Sequence, residues 1–343
     1  MRHLLNTLYI MTEDSYLSLD NENIVVNGPD KVLGRYPLQM FEQIMYFGYR
    51  GASPALMGEC AKRGIGMSFF RPSGRFLARV CGESNGNVLL RRQQYRIADD
   101  KLQSCMLARC FVTGKLYNSR SVLERGRRDH ALSTDAEKLS AAGKELLDMS
   151  RLAKNCTDLD ELRGYEGDGA RAYFGALDEL ILQNKKYFSF SGRMRRPPKD
   201  PVNAMLSFAY TLLANDCASA LEGTGLDAYV GFMHRDRPGR ISLALDLMEE
   251  LRSIYADRFV LTLINNRMIN NKSFEVQDSG SVLMKDAARR SFLQAWQERK
   301  KDVITHPFIG EKLPWGLVPF VQAQLLARYI RGDLEEYPCF LWK

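Results

Sequence analysis

The sequence predicts an α+β chain: a small N-terminal β-sandwich-like domain with one helix over residues 1–85, then a larger all-α domain over residues 86–343. Three observations carry this. Apolar and polar side chains alternate through the first eighty or so residues. From about residue 90 the apolar positions recur with helical period. A turn-rich stretch, Gly82-Glu83-Ser84-Asn85-Gly86-Asn87, separates the two regimes. A length of 343 residues agrees, since roughly 150 residues per domain gives about two domains.

In the first part, LLNTLYI, SYLSLD, NIVV, KVLGRYPL and QIMYFGY read as short strands between Asn, Asp, Gly and Pro punctuation, and GMSFF and RFLARV flank the turn R-P-S-G. One helix interrupts them, SPALMGECAKRG, with Ser53 as cap, Pro54 in the first turn and Gly64 as stop. Beyond the linker, helical patterns run at about 90–125, 134–154, 158–183, 201–222, 241–257, 281–299 and 316–332. No repeat of fixed period appears.

Hydrophobic residues at 45% and charged residues at 26% are those of an ordinary globular protein and exclude disordered and collagen-like classes. The most apolar stretch, Ala204 to Leu221, contains Asn215 and Asp216 and reads as a buried core helix, not a membrane span. The N-terminal sequence shows no export signal, and seven scattered cysteines without a C-x-x-C pair suggest reduced thiols, so a cytoplasmic protein is expected. Net charge is +7, and 39 basic against 33 acidic residues lie beyond Asn85, which favours a polyanionic partner for the C-terminal part. Patterns for P-loop, dinucleotide-fold, zincin and serine-hydrolase chemistry are absent.

Three segments can carry chemistry. In Gly231 to Arg252, His234 precedes a Pro238-Gly239 break and a helix bearing Asp246, Glu249 and Glu250. Asp246 and Glu249 project from one helical face, where two carboxylates and an imidazole suit Mg²⁺ or Mn²⁺. The polar stripe Ser242, Asp246, Glu249, Ser253 equally describes a solvated helix face. Next, Glu166 sits among Gly164, Gly167 and Gly169 in a helical pattern that Thr157 caps, and such glycines mark either a close approach or a break between helices. Finally, Arg91, Arg92 and Arg96 form one basic cluster. Lys185, Lys186, Arg193, Arg195 and Arg196 form another, interleaved with Tyr187, Phe188 and Phe190, and Arg235, Arg237 and Arg240 adjoin His234. Cations next to aromatics suit phosphate contact and base stacking in a nucleic-acid groove.

Glu166 in YEGDGARAYF, His234 followed by GRISLALDLMEELR, and the β-then-helical layout together resemble the CRISPR-associated endonucleases of spacer acquisition, the adaptation integrases. Runs such as GASPALMGECAKRG and LLANDCASALEGTGLDAYVGFMHRDRPGR are most similar to the form found in type I-C systems, and the resemblance covers essentially the full length. It implies a metal-dependent DNA endonuclease and integrase whose helical domain is catalytic and which inserts spacers by 3′-hydroxyl transesterification. The implied catalytic residues are Glu166, His234, Asp246 and Glu249. Glu166, His234 and Glu249 would be the ligands of Mg²⁺ or Mn²⁺, Asp246 would support or share the site, and Glu250 would be an ordinary helix-surface residue. The implied partners are double-stranded DNA with single-stranded 3′ ends, a second copy in a homodimer formed through the β domains, and a small companion adaptation protein bridging two dimers. An accessory processing nuclease is a further implied partner. The rival reading is a non-catalytic DNA-binding or scaffold protein of the same system.

Overall fold

A computed structural model describes residues 6–12, 14–82, 87–194 and 197–342. The chain forms two compact units, one of residues 1–86, 289–302 and 315–317, the other of 87–288, 303–314 and 318–343.

The first unit contains β1 (Thr7–Ile10), β2 (Tyr16–Asp20), β3 (Asn23–Asn27), β4 (Val32–Pro37), β5 (Gln43–Phe47), α1 (Pro54–Arg63), β6 (Gly66–Phe70) and β7 (Phe76–Val80). Strands β2, β3 and β4 make an antiparallel sheet, and β1-β5-β6-β7 a second sheet in which only β7 is antiparallel to its neighbour. Alternation sends Leu17, Ile24, Ile44, Tyr46 and Met67 into a common core, closed by Leu56 and Cys60 of α1. Ser53 accepts from the Leu56 N–H at 3.2 Å, and Gly64 ends the helix at φ +64°, where glycine carries no steric penalty.

The second unit holds α2 (Val88–Asp99), α3 (Lys101–Asp129), α4 (Ala136–Asn155), α5 (Leu159–Ala176), α6 (Pro201–Thr224), α7 (Ser242–Glu249), α8 (Arg258–Asn265), the first turn of α9 (Asp286–Lys301) and α10 (Val318–Arg331). The α+β class holds. The helical part also carries two short hairpins, β8 (Phe274–Val276) with β9 (Val282–Met284) and β10 (Val303–Thr305) with β11 (Lys312–Pro314), so it is not purely helical. Three-residue strands are too short for a period-2 signal to emerge from sequence. The single pattern expected at 90–125 divides at Asp100, whose side chain accepts from the Leu102 and Gln103 N–H groups and starts α3. Asp158, not Thr157, caps α5 by the same device. Helix α6 is buried along most of its length, and among the described residues no helix is long and apolar enough to cross a membrane.

Helix α5 runs unbroken through its glycines. A Cβ at Gly169 would run into Leu116 of α3, so this glycine admits the neighbouring helix, whereas at Gly164 and Gly167 it would meet open space. Gly169→Ala should therefore lower stability by about 1–3 kcal/mol through overpacking, and Gly164→Ala should raise it by up to about 1 kcal/mol through helix propensity. Urea unfolding midpoints check both signs.

Candidate active site

The loop after α6 is organised by a carboxylate. Asp246, fully buried on α7, accepts N–H bonds from Phe232 (2.7 Å), Met233 (3.0 Å) and His234 (3.1 Å), and its Oδ1 lies 2.5 Å from His234 Nδ1. The chain passes close enough only because residue 231 is glycine: a Cβ there would lie 2.8 Å from Asp246 Oδ2 and 2.9 Å from Ser242. With Nδ1 engaged, Nε2 is the ring nitrogen left for other partners. Burial pulls the His234 pKa down, but the hydrogen bond and charge of Asp246, with Glu249 behind it, raise it above its ordinary value on balance. Arg163 of α5 donates from Nε and Nη2 to the Met233 carbonyl at 2.9 and 2.7 Å, which ties the histidine loop to the helix of Glu166.

Glu249, one turn beyond Asp246, is also buried. Arg252 Nη1 donates to its Oε1 at 2.6 Å, and Lys115 Nζ of α3 lies 2.7 Å from its Oε2 in an ion pair without hydrogen-bond alignment. Burial opposes its ionisation, but Arg252, Lys115 and His234 together hold it well below the usual carboxylate range. The same Lys115 ammonium pairs with Glu166 Oε1, so carboxylates from α5 and α7 converge on one cation.

Behind them lies a second polar layer. After α7 the chain makes one wide helical turn, Arg252–Asp257, every residue of it buried, closed by the Arg258 N–H on the Ser253 carbonyl five residues back. It puts the Arg252 guanidinium 4.4 Å from the centroid of Tyr210, while Tyr210 and Tyr173 both donate to Asp257, at 2.5 and 3.0 Å. Tyr173 is on α5, seven residues after Glu166, so the layer joins α5, α6 and the segment after α7.

Two expectations for α7 are corrected. Ser242, Asp246, Glu249 and Ser253 are all buried, so they are not a solvated face. Glu250 is not a surface residue either: its carboxylate accepts from Gln322 Nε2 (3.0 Å), Tyr337 Oη (2.5 Å) and the Phe340 N–H (2.6 Å). Leucine-rich neighbours hide this from a periodicity argument, because α7 packs on both its apolar and its polar side. Lys115 and Arg163 were also missed. The available signal was a lysine among Phe111, Val112, Leu116 and Val122 on a helix otherwise facing the core.

The basic residues divide. Arg92 and Arg96 are exposed on α2 and Arg91 is half-buried; Lys186 and Arg237 are exposed. Lys185 pairs with Asp178 and Glu179, and Arg235 with Asp160. Arg240, half-buried, points to the Arg235 carbonyl. Arg193 donates to Asn203 and Ser207 and lies over Tyr210, a structural tether of its loop to α6. Arg195 and Arg196 lie outside the described residues. Phe188 and Phe190 are core residues and Tyr187 donates to the Asn271 carbonyl, so this cluster offers no open stacking platform.

The donor set, one imidazole and two carboxylates, suits a hard divalent cation, and the two carboxylates already share a positive charge. Among the described residues no three His, Cys, Asp or Glu side chains are drawn into a coordination cluster, and Lys115 stands between Glu166 and Glu249.

A family model described as CRISPR associated protein Cas1 matches residues 8–298. The chain is 48% identical to a CRISPR-associated endonuclease Cas1 of Chlorobaculum tepidum over 100% of both chains, and 48% identical to one of Rhodospirillum rubrum over 100% of both. It is 33% identical to a CRISPR-associated exonuclease Cas4/endonuclease Cas1 fusion of Geobacter sulfurreducens, over 97% of this chain and 60% of that one. Among solved structures, a casposase bound to integration product has a TM-score of 0.83 at 23% identity over 98% of this chain and 94% of the other. The Cas6-RT-Cas1–Cas2 complex has 0.82 at 23% identity over 100% of this chain and 36% of its counterpart. These two likenesses show a common fold.

For Glu250 the unfolded carboxyl titrates near 4.5, and burial pushes the folded one up to about 7. The folded state keeps a proton that the unfolded chain has released. Glu250's contribution is therefore whole below pH 4.5 and lost as pH rises to about 7, at roughly 1.4 kcal/mol per unit. Melting temperatures of the native protein should fall across that window relative to Glu250→Gln; parallel curves would contradict the assignment.

Proposed function

The chain belongs to the Cas1 family of CRISPR-associated proteins, and from that premise we propose that it is a metal-dependent DNA endonuclease and integrase that inserts new spacer DNA into a CRISPR array. The observation that carries the reading is the meeting of Glu166 and Glu249 on one cation, with an imidazole held by Asp246 close enough to feel the charge of Glu249. Glu166, His234 and Glu249 would hold Mg²⁺ or Mn²⁺, which when bound polarises the scissile phosphate and stabilises the charge that develops on it.

The chain's own residues supply the rest. Asp246 has both oxygens committed to the histidine loop, so it orients His234 and leaves direct ligation to Glu249. Arg252 fixes one oxygen of Glu249 and leaves the other for the ion. In the integration step the 3′-oxygen of the incoming strand bonds to phosphorus as the 3′-oxygen of the target strand leaves, so phosphodiester number is conserved and no energy source is needed. Water in place of the 3′-hydroxyl gives nicking. The likeness to a chain of the Cas6-RT-Cas1–Cas2 complex and to the Geobacter Cas4/Cas1 fusion supports a companion adaptation protein and an accessory processing nuclease. The expected assembly further has double-stranded DNA with single-stranded 3′ ends on a homodimer, two dimers being joined by the small companion.

A strand-transfer assay with a 3′-hydroxyl donor, a 3′-blocked control and Mn²⁺ or Mg²⁺ tests the reaction. His234→Ala should reduce product more than about a hundredfold, beyond the usual cost of altering an outer-shell residue, while DNA affinity stays within a few-fold. Normal transfer by the variant would leave only a scaffold role. Charge reversal at exposed Arg92 and Arg96 should weaken binding and make the slope of log K against log salt shallower by about 2; an unchanged slope would make these arginines merely solvated.

A further inference from the structure

We infer that Lys115 is a built-in counter-ion that occupies the divalent-metal position in the metal-free protein, so that metal binds only by displacing its ammonium. The inference rests on the metal-dependent reading above and adds to it a residue that sets metal affinity.

The geometry requires the competition. Lys115 Nζ bridges Oε1 of Glu166 and Oε2 of Glu249, while the remaining contact of Glu249, through Oε1, belongs to Arg252. The ammonium thus holds one oxygen of Glu166 and the Glu249 oxygen that Arg252 leaves over, so an ion bridging the two carboxylates through these atoms must take its place. The three side chains are largely withdrawn from water, at 8% exposure for Lys115, 21% for Glu166 and 4% for Glu249, so solvent screens neither the attraction nor the repulsion effectively. Two carboxylates this close in a poorly screened site repel each other unless a positive charge lies between them. Lys115 lies between them and offsets that repulsion, keeping them apart by one cation's width. A divalent ion entering beside the ammonium would meet like charge at contact distance, so the two exclude each other. Lysine suits this exchange better than arginine, because its charge is a compact point on a flexible four-carbon stem and not a rigid two-pronged fork.

Such a counter-ion lowers apparent metal affinity by the fraction of molecules in which the ammonium has withdrawn. It also holds the two glutamates in position beside one another until an ion arrives.

Mn²⁺ titration by calorimetry, together with melting temperatures with and without Mn²⁺, tests this on the full chain as wild type, Lys115→Met and His234→Ala. Lys115→Met should bind Mn²⁺ at least about tenfold more tightly than wild type, as expected when no more than about one molecule in ten has the site open. It should be less stable than wild type without metal and gain more in melting temperature when Mn²⁺ is added. Equal affinity and equal gain, with His234→Ala abolishing binding, would overturn the role of Lys115 and leave the metal site standing. Absence of Mn²⁺ binding to both wild type and Lys115→Met would remove the metal site and this inference with it. Should Lys115→Met fail to fold, a crystal of the wild-type protein soaked in Mn²⁺ decides. The ion between Glu166 and Glu249 with Nζ withdrawn from both is the expected result, and an ion bound while Nζ still bridges them would refute the proposal.

Discussion

Helix α7 and the residue that ends it take three carboxylates, Asp246, Glu249 and Glu250, out of water within five residues, and an unpartnered buried carboxylate costs several kcal/mol. Each is satisfied by a different device. Asp246 is ringed by backbone N–H groups, Glu249 is held between two cations, and Glu250 is met by neutral donors and pushed toward protonation. These requirements explain features remote in sequence: a glycine at 231, a lysine inside α3, an arginine at the start of the wide turn, and a C-terminal tail folded back over the helix.

The tail illustrates how far the constraint reaches. Asn118 of α3 donates to the carbonyls of both Glu250 and Phe340 and accepts from the Trp342 N–H. Gly114, one turn earlier, brings α3 to within 3.1 Å of the Glu250 Cβ from where its own Cβ would stand. The close approach that delivers Lys115 to Glu249 is thus made by a glycine and an asparagine on the same helix. On the other flank, Asp257, Tyr210 and Tyr173 hold α5, and with it Glu166, at a set distance from the turn that carries Arg252. Hydrogen-bonded support of this kind is what holds functional side chains close to a working geometry.

Legibility in the sequence followed the range of the interaction. Strands alternating over five residues and a helix bounded by Ser53, Pro54 and Gly64 were readable because their causes are local. The pairing of His234 with the acidic residues twelve and fifteen positions on was visible as spacing, but spacing could not say whether α7 was wet or buried. That depended on α3, α10 and the tail, all distant in sequence. Lys115 was unreadable for the same reason: its meaning comes from Glu166 and Glu249, 51 and 134 positions away. The aromatic-basic cluster near residue 188 misled because the phenylalanines that seemed suited to stacking are the residues that anchor the loop in the core.

Separating buried from exposed cations also changes what the net charge of +7 means. Lys115 and Arg252 are matched inside the protein by Glu166 and Glu249, and Arg193, Lys185 and Arg235 are engaged by their own neighbours. Charge matched by a neighbouring carboxylate contributes little to the field that a polyanion meets, whereas Asn203 and Ser207, to which Arg193 donates, are neutral and leave its charge uncancelled. Arg92 and Arg96 of α2, Lys186 and Arg237 are exposed and take no part in those pairs. Under the proposed function, attraction and chemistry would be carried by different side chains, and a substitution that weakens one need not touch the other. Had the same arginines served both purposes, every phosphate bound at the surface would have competed with the ion pairs that keep Glu166 and Glu249 in place.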